Sequence, residues 1–150
     1  MTRIIATVFS RLGDGWLYFA IILYIVVYEI QPAPYAHAIA LAVCMALSTA
    51  LMLTIKPLVG HARPEPRRTL IHADHYAFPS GHAMTAFAFA VCCGEFYHRL
   101  FIPLIVFAVC VAVSRVILRV HYWGDVLVAA LWGAVLGYGC AEVTGSLLNK

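Results

Sequence analysis

Charge is scarce in this chain. Only 11% of its 150 residues are Asp, Glu, Lys or Arg, against roughly 25% in soluble globular proteins, while 63% are hydrophobic. A water-soluble fold has no means of hiding so much apolar surface, and no nucleic-acid partner is expected. None of the five cysteines (Cys44, Cys92, Cys93, Cys110, Cys140) belongs to a Cys-x-x-Cys pair and all lie in apolar runs, so they read as small packing residues rather than metal ligands or disulfide partners. The first dozen residues lack the unbroken apolar core and small-residue cleavage site of a signal peptide, so the spans themselves are expected to direct insertion. There is no internal repeat and no low-complexity tract.

What is present are apolar runs long enough for a bilayer core of about 30 Å, which needs about 20 helical residues. The expected fold is all-α: one multi-pass transmembrane bundle of about five spans, residues 1–150 forming a single domain, preceded by an interfacial amphipathic helix. In that first segment Ile4, Ile5, Val8, Phe9 and Leu12 share one helical face, with Arg3, Thr7, Ser10, Arg11 and Asp14 on the other. The spans are expected at about 15–29, 35–55, 79–97, 100–118 and 122–148, with a polar stretch over 56–78. Gly133 and Gly137 give a Gly-x-x-x-Gly spacing, which allows close helix approach. Trp16, Tyr18, Tyr28, Tyr35, Tyr122 and Trp123 fall near span ends, as an aromatic belt does.

Five alternating crossings bring the 56–78 loop, the start of the third span and the turn before the fifth to one membrane face. Eight of the ten Lys and Arg residues fall there, leaving Arg99 and Lys150 opposite. Three segments on that face stand out: Lys56-Pro57-Leu58-Val59-Gly60-His61-Ala62-Arg63-Pro64, Pro79-Ser80-Gly81-His82, and Ser114-Arg115 followed by His121 and Asp125. A transferring phosphoryl group spreads charge over three oxygens and needs fixed cations and backbone donors. Lys56, Arg63 and Arg115 are the cations, and arginine offers a planar fork. Ser80 and Gly81 open a helix whose unpaired N–H groups favour an anion. His82 suits a general acid near neutral pH. His121 and Asp125, four apart, are expected to share a helix face, the carboxylate orienting an imidazole whose other nitrogen attacks phosphorus. Lys56, Arg115 and Arg119, taken singly, also fit interfacial snorkelling near span ends; the concurrence of all three segments on one face does not.

These segments fill every defining position of Lys-x6-Arg-Pro, Pro-Ser-Gly-His and Ser-Arg-x5-His-x3-Asp, the pattern of the type 2 phosphatidic acid phosphatase (lipid phosphate phosphatase) family, which the chain resembles from Lys56 to Asp125. The resemblance implies a six-helix membrane core and metal-independent hydrolysis of a lipid phosphate or pyrophosphate through a phosphohistidine, with no cofactor. It implies phosphate binding by Lys56, Arg63, Ser80, Gly81 and Arg115, acid duty for His82, and nucleophile and orienting roles for His121 and Asp125. Family members commonly carry one further span ahead of the region equivalent to 15–29, so the resemblance is to a shortened form. The expected partners are the bilayer and a phosphorylated lipid: a polyprenyl phosphate or pyrophosphate, phosphatidic acid or phosphatidylglycerol phosphate. The expected location is a bacterial plasma membrane. The family implies an extracytoplasmic site, whereas the Lys/Arg skew favours the cytoplasm by the positive-inside rule.

Two other functions use the same residues. A carrier for phosphorylated lipids needs the cations but not His82 or the His121–Asp125 pair. A vanadate-dependent oxidant-generating enzyme shares the phosphate pocket of this family but is soluble, which the composition opposes. Arg67, Arg68 and Arg119 are further cations for a head group or for the bilayer surface. His61, His72, Asp74 and His75 read as solvated loop residues rather than a metal site.

Overall fold

The computed structural model describes residues 2–28, 34–64 and 76–149. It is built from α1 (Thr2–Leu12), α2 (Trp16–Tyr28), α3 (Pro34–Val59), α4 (Gly81–Phe96), α5 (His98–Ile117) and α6 (Trp123–Leu148). The one pairing of extended chain among the described residues is a bridge between Ala62 and Tyr76. With Ala77 N–H donating to His61 C=O at 2.7 Å, it ties together the two ends of the α3–α4 connection.

Three helices, α3, α5 and α6, are long and apolar enough to cross a membrane, and a fourth crossing is available if α1 and α2 form one span bent by 45°. That differs from five spans of uniform type. The third expected span, α4, has only 16 residues and lies at the centre, packed against α6, α5 and α3. Nine of its residues are buried, among them Ala83, Ala86, Ala88, Ala90, Cys92, Cys93 and Gly94. Small side chains let three helices close on it, where dispersion contacts rather than hydrophobic expulsion hold helices together.

Gly133 and Gly137 of α6 make the closest of these approaches. A Cβ on Gly133 would stand 2.3 Å from Met84 C=O, and one on Gly137 2.4 Å from Ala88 C=O. The obstacle is backbone and has no rotamer escape. Gly133→Ala or Gly137→Ala is therefore expected to destabilise the fold by about 1–3 kcal/mol, as overpacking does. Gly139→Ala, with nothing within 4 Å of its Cβ, should leave the melting temperature in detergent unchanged. Equal melting of all three variants would refute this packing.

The first helix does not stand apart. Its small residues Ala6 and Ser10 are buried while Ile4, Ile5, Val8 and Leu12 face outward, and the buried side packs on α5. Tyr18, expected in the aromatic belt, is 2% exposed and packs against Phe89 with the rings tilted and their centroids 4.9 Å apart. Trp16, Tyr28, Tyr35, Tyr122 and Trp123 are exposed, as a belt requires. Of the cysteines, Cys44, Cys92 and Cys93 are buried in the main apolar core.

Candidate active site

The sequence places the break after the second span at Lys56, but α3 continues to Val59. Pro57 deletes one backbone donor, yet the helix completes another turn and stops at Gly60, whose φ of +65° is a left-handed conformation that glycine adopts without steric cost. Lys56 is thereby held in the last turn of a long helix and is 2% exposed. Arg63 follows in the connection, 8% exposed, beside the bridge that closes it.

Ser80 caps α4 and Gly81 and His82 open it, as expected. The cap is fixed from outside the helix: Ser80 N–H donates to Asp125 C=O at 3.1 Å. Ser80 Oγ is fully buried and has no hydrogen-bond partner among the described residues. A buried hydroxyl left so costs about 1–3 kcal/mol.

Arg115 lies in the last turn of α5, buried, with Nη1 donating to Ser10 Oγ of α1. The chain then reverses through a left-handed residue, Arg119 (φ 56°). Arg119 N–H donates to Val116 C=O at 2.9 Å and Val120 N–H to Arg115 C=O at 3.1 Å, the paired bonds of a Schellman ending. This reversal turns His121 inward, to 2% exposure.

His121 corrects the expected helical pair. It precedes α6 rather than belonging to it, so the four-residue spacing is not a helical one. Its Nδ1 lies 3.7 Å from Asp125 Oδ2, beyond hydrogen-bond length. Asp125 is instead bonded by two other donors: Tyr122 N–H to Oδ2 at 2.8 Å, which caps α6, and His61 Nδ1 to Oδ1 at 2.9 Å. Burial pushes the His121 imidazole down to about 4, against the pull of Asp125 and with the help of Arg115, Arg63 and Lys56. It is held as a neutral base.

A cavity of about 480 Å³ gathers Lys56, Arg63, Gly81, His82, Arg115 and His121. Ser80 and Asp125 do not line it. Asp125 backs His121 from the far side and borders a second cavity of about 550 Å³ with His61. The first cavity continues along α3 past Leu53, Met52 and Thr49 to Met45, a rise of about 16 Å at 1.5 Å per residue. It is cationic at one end and largely apolar at the other.

Three participants escaped the sequence reading: Ser10, Asp14 and His61. Asp14 also lines the cavity, and His82 Nε2 donates to its Oδ1 at 2.6 Å. A lone carboxylate between two glycines in so apolar a chain was the available signal. Nothing local marked Ser10 or His61. Arg119 contributes its backbone conformation, with an exposed side chain. Arg67, Arg68, His72, Asp74 and His75 lie outside the described residues. Among the described residues no three His, Cys, Asp or Glu side chains are grouped as metal ligands.

Fold and site together define an integral membrane helical bundle with a cationic cavity opening along one helix. The chain belongs to the PAP2 superfamily, whose family model matches residues 37–147. It is 35% identical over 92 residues to a decaprenylphosphoryl-5-phosphoribose phosphatase of Mycobacterium tuberculosis, the match covering 59% of this chain and 50% of that one. The chain thus spans about half the length of the curated relatives it matches. Its fold is similar to that of a transmembrane PAP2 type phosphatidylglycerolphosphate phosphatase from Bacillus subtilis, with TM-score 0.80 and 22% identity over 97% of this chain and 77% of the other. It is likewise similar to Aquifex aeolicus LpxE, with TM-score 0.77 and 25% identity over 94% and 86%.

Proposed function

We propose that this protein is a lipid-phosphate phosphatase that hydrolyses a phosphomonoester or pyrophosphate of a membrane lipid through a phosphohistidine. The observation that carries the reading is the buried neutral His121 in a cavity with three cations. Lys56, Arg63 and Arg115, all buried, line one end of the cavity, where cations and hydrogen-bond donors suit a phosphoryl group. Gly81, at the cavity wall, opens α4 and adds that helix's N-terminal amides, while Ser80, buried behind it, fixes the helix start through its N–H to Asp125 C=O.

His121 attacks phosphorus, a P–N bond forms and the P–O bond to the lipid breaks. His82 gives its proton to the departing oxygen. Water then attacks the phosphohistidine, His82 takes back a proton, and phosphate leaves. Asp125, close to His121 Nδ1, stabilises the positive charge that grows on the ring. Cations already in place stabilise the transition state without reorganisation. No step calls for a metal.

The apolar reach of the cavity along α3 supports a substrate with a lipid tail, and the mycobacterial relative favours a polyprenyl-linked phosphate over a glycerolipid. The relatives are bacterial, which supports a bacterial plasma membrane; we place the site on its extracytoplasmic face by family resemblance. The test is phosphate release by the purified protein in detergent, with chelator present, from polyprenyl phosphate, polyprenyl pyrophosphate, phosphatidic acid and phosphatidylglycerol phosphate. Turnover of at least one, with acid-labile, base-stable phosphate trapped on His121, is expected. Binding of these lipids without turnover or trapped phosphate would make the protein a carrier instead.

A further inference from the structure

We propose that Asp14 is a positioning residue for the general acid: the turn between α1 and α2 carries its carboxylate to His82, holds the ring, and favours its protonated form. The inference rests on the phosphatase reading above and adds a part to it from outside the three motif segments.

The turn is built for this contact. Gly13 lies so close to α5 that a Cβ there would stand 2.9 Å from Val111 Cγ1 and 3.4 Å from His82 Cδ2. Gly15 has φ +99°, a conformation that side-chain-bearing residues rarely adopt. Between them Asp14 reaches Nε2 of His82 at 2.6 Å, a short charge-assisted length. One turn earlier, Ser10 accepts from Arg115. The first helix and the turn after it thus touch two residues of the cavity wall, Arg115 and His82.

The carboxylate faces a strongly cationic surrounding. Lys56 from α3, Arg63 from the α3–α4 connection, Arg115 from α5 and His121 from the turn before α6 line the same cavity. Lys56, Arg63 and Arg115 oppose a positive charge on the His82 ring, while His121 is neutral, and the adjacent Asp14 carboxylate offsets them. It also fixes the orientation of the ring at the cavity wall. In the first step the proton passes from His82 to the lipid oxygen as the P–O bond breaks. In the second, water gives a proton to His82 as the P–O bond to water forms and the P–N bond breaks. Asp14 keeps its negative charge throughout.

The test compares Asp14→Asn with the unaltered protein on farnesyl monophosphate, whose alkoxide must be protonated to leave, and p-nitrophenyl phosphate, whose phenolate leaves without a proton. With kcat/KM reporting the phosphorylation step, D14N should lose about ten- to a hundredfold on the farnesyl ester, the range seen when an outer-shell partner is removed, and less than about threefold on the aryl ester. In an H82A background D14N should add less than about twofold on either substrate. Equal losses on both substrates, or a further tenfold loss on top of H82A, would make Asp14 a merely structural residue. Undiminished or increased activity would also overturn the proposal. If the unaltered protein releases phosphate from neither substrate nor from the lipid panel, the phosphatase reading fails, and the inference with it. Activity of the unaltered protein without the D14N pattern sinks the inference alone.

Discussion

His121→Asn is expected to reduce phosphate release by on the order of 10⁴-fold or more, the scale on which loss of a covalent nucleophile is felt. Asparagine keeps a comparable volume and polarity at a site only 2% exposed, so folding and lipid binding should survive. Lys56, Arg63 and Arg115 are untouched, and the apparent affinity for phosphate should change only a few-fold. The unaltered protein should also show a distinctive acid limb. Because His121 is pushed down to about 4 from an ordinary 6.5, kcat/KM should not fall through protonation of the nucleophile until the pH approaches 4. The same shift acts on stability. The folded state holds the neutral ring, so the unfolded state binds more protons between pH 6.5 and 4. Stability is therefore highest above 6.5, is lost as pH falls through that window, and levels off below 4. His121→Asn should flatten that part of the stability profile. Turnover in this variant within tenfold of the unaltered protein would exclude His121 as nucleophile.

Asp125→Asn is expected to be the next most severe, for a different reason. The carboxylate accepts from His61 Nδ1 through Oδ1 and from Tyr122 N–H through Oδ2. An amide can accept at one of these positions only and must present N–H to the other donor. Its lost charge also removes stabilisation of the imidazolium-like ring during phosphoryl transfer. A triad carboxylate replaced in this way costs about 10⁴ in kcat in serine proteases. Here, with the carboxylate 3.7 Å from the ring rather than in hydrogen-bond contact, a loss of about 10²–10³ is expected. Because Asp125 also caps α6, the melting temperature should fall as well, by the equivalent of about 1–3 kcal/mol. Activity and stability measured on the same preparation separate the two roles. A fall in melting temperature with turnover intact would leave Asp125 as a helix cap only.

The placement of the phosphate-binding candidates was legible because membrane chains tolerate few charges. Lys56, Arg63, Arg115, His121 and Asp125 stand out against runs of Leu, Val and Ala, and their spacing carries the family pattern. The exact relation of His121 to Asp125 was not legible. Four-residue spacing means one helix face only if both residues are helical, and the Schellman reversal at Arg119 leaves His121 outside α6. The central burial of α4 was equally hidden, since an alanine-rich segment of that length looks like one more span until its neighbours are known.

The sequence by itself determined that this chain is apolar enough to span a bilayer, that it is helical, and which residues are the candidates for phosphate chemistry. Hydrophobic run length and local motif spacing are properties of the chain alone. Only the tertiary structure decided that α4 lies at the centre and that His61 shares Asp125. It alone brought the first helix to Arg115 and His82 through Ser10 and Asp14. Those contacts join residues 64, 105 and 68 positions apart, and pairing over such distances depends on helix packing, which the small residues of α1, α4 and α6 permit but do not spell out.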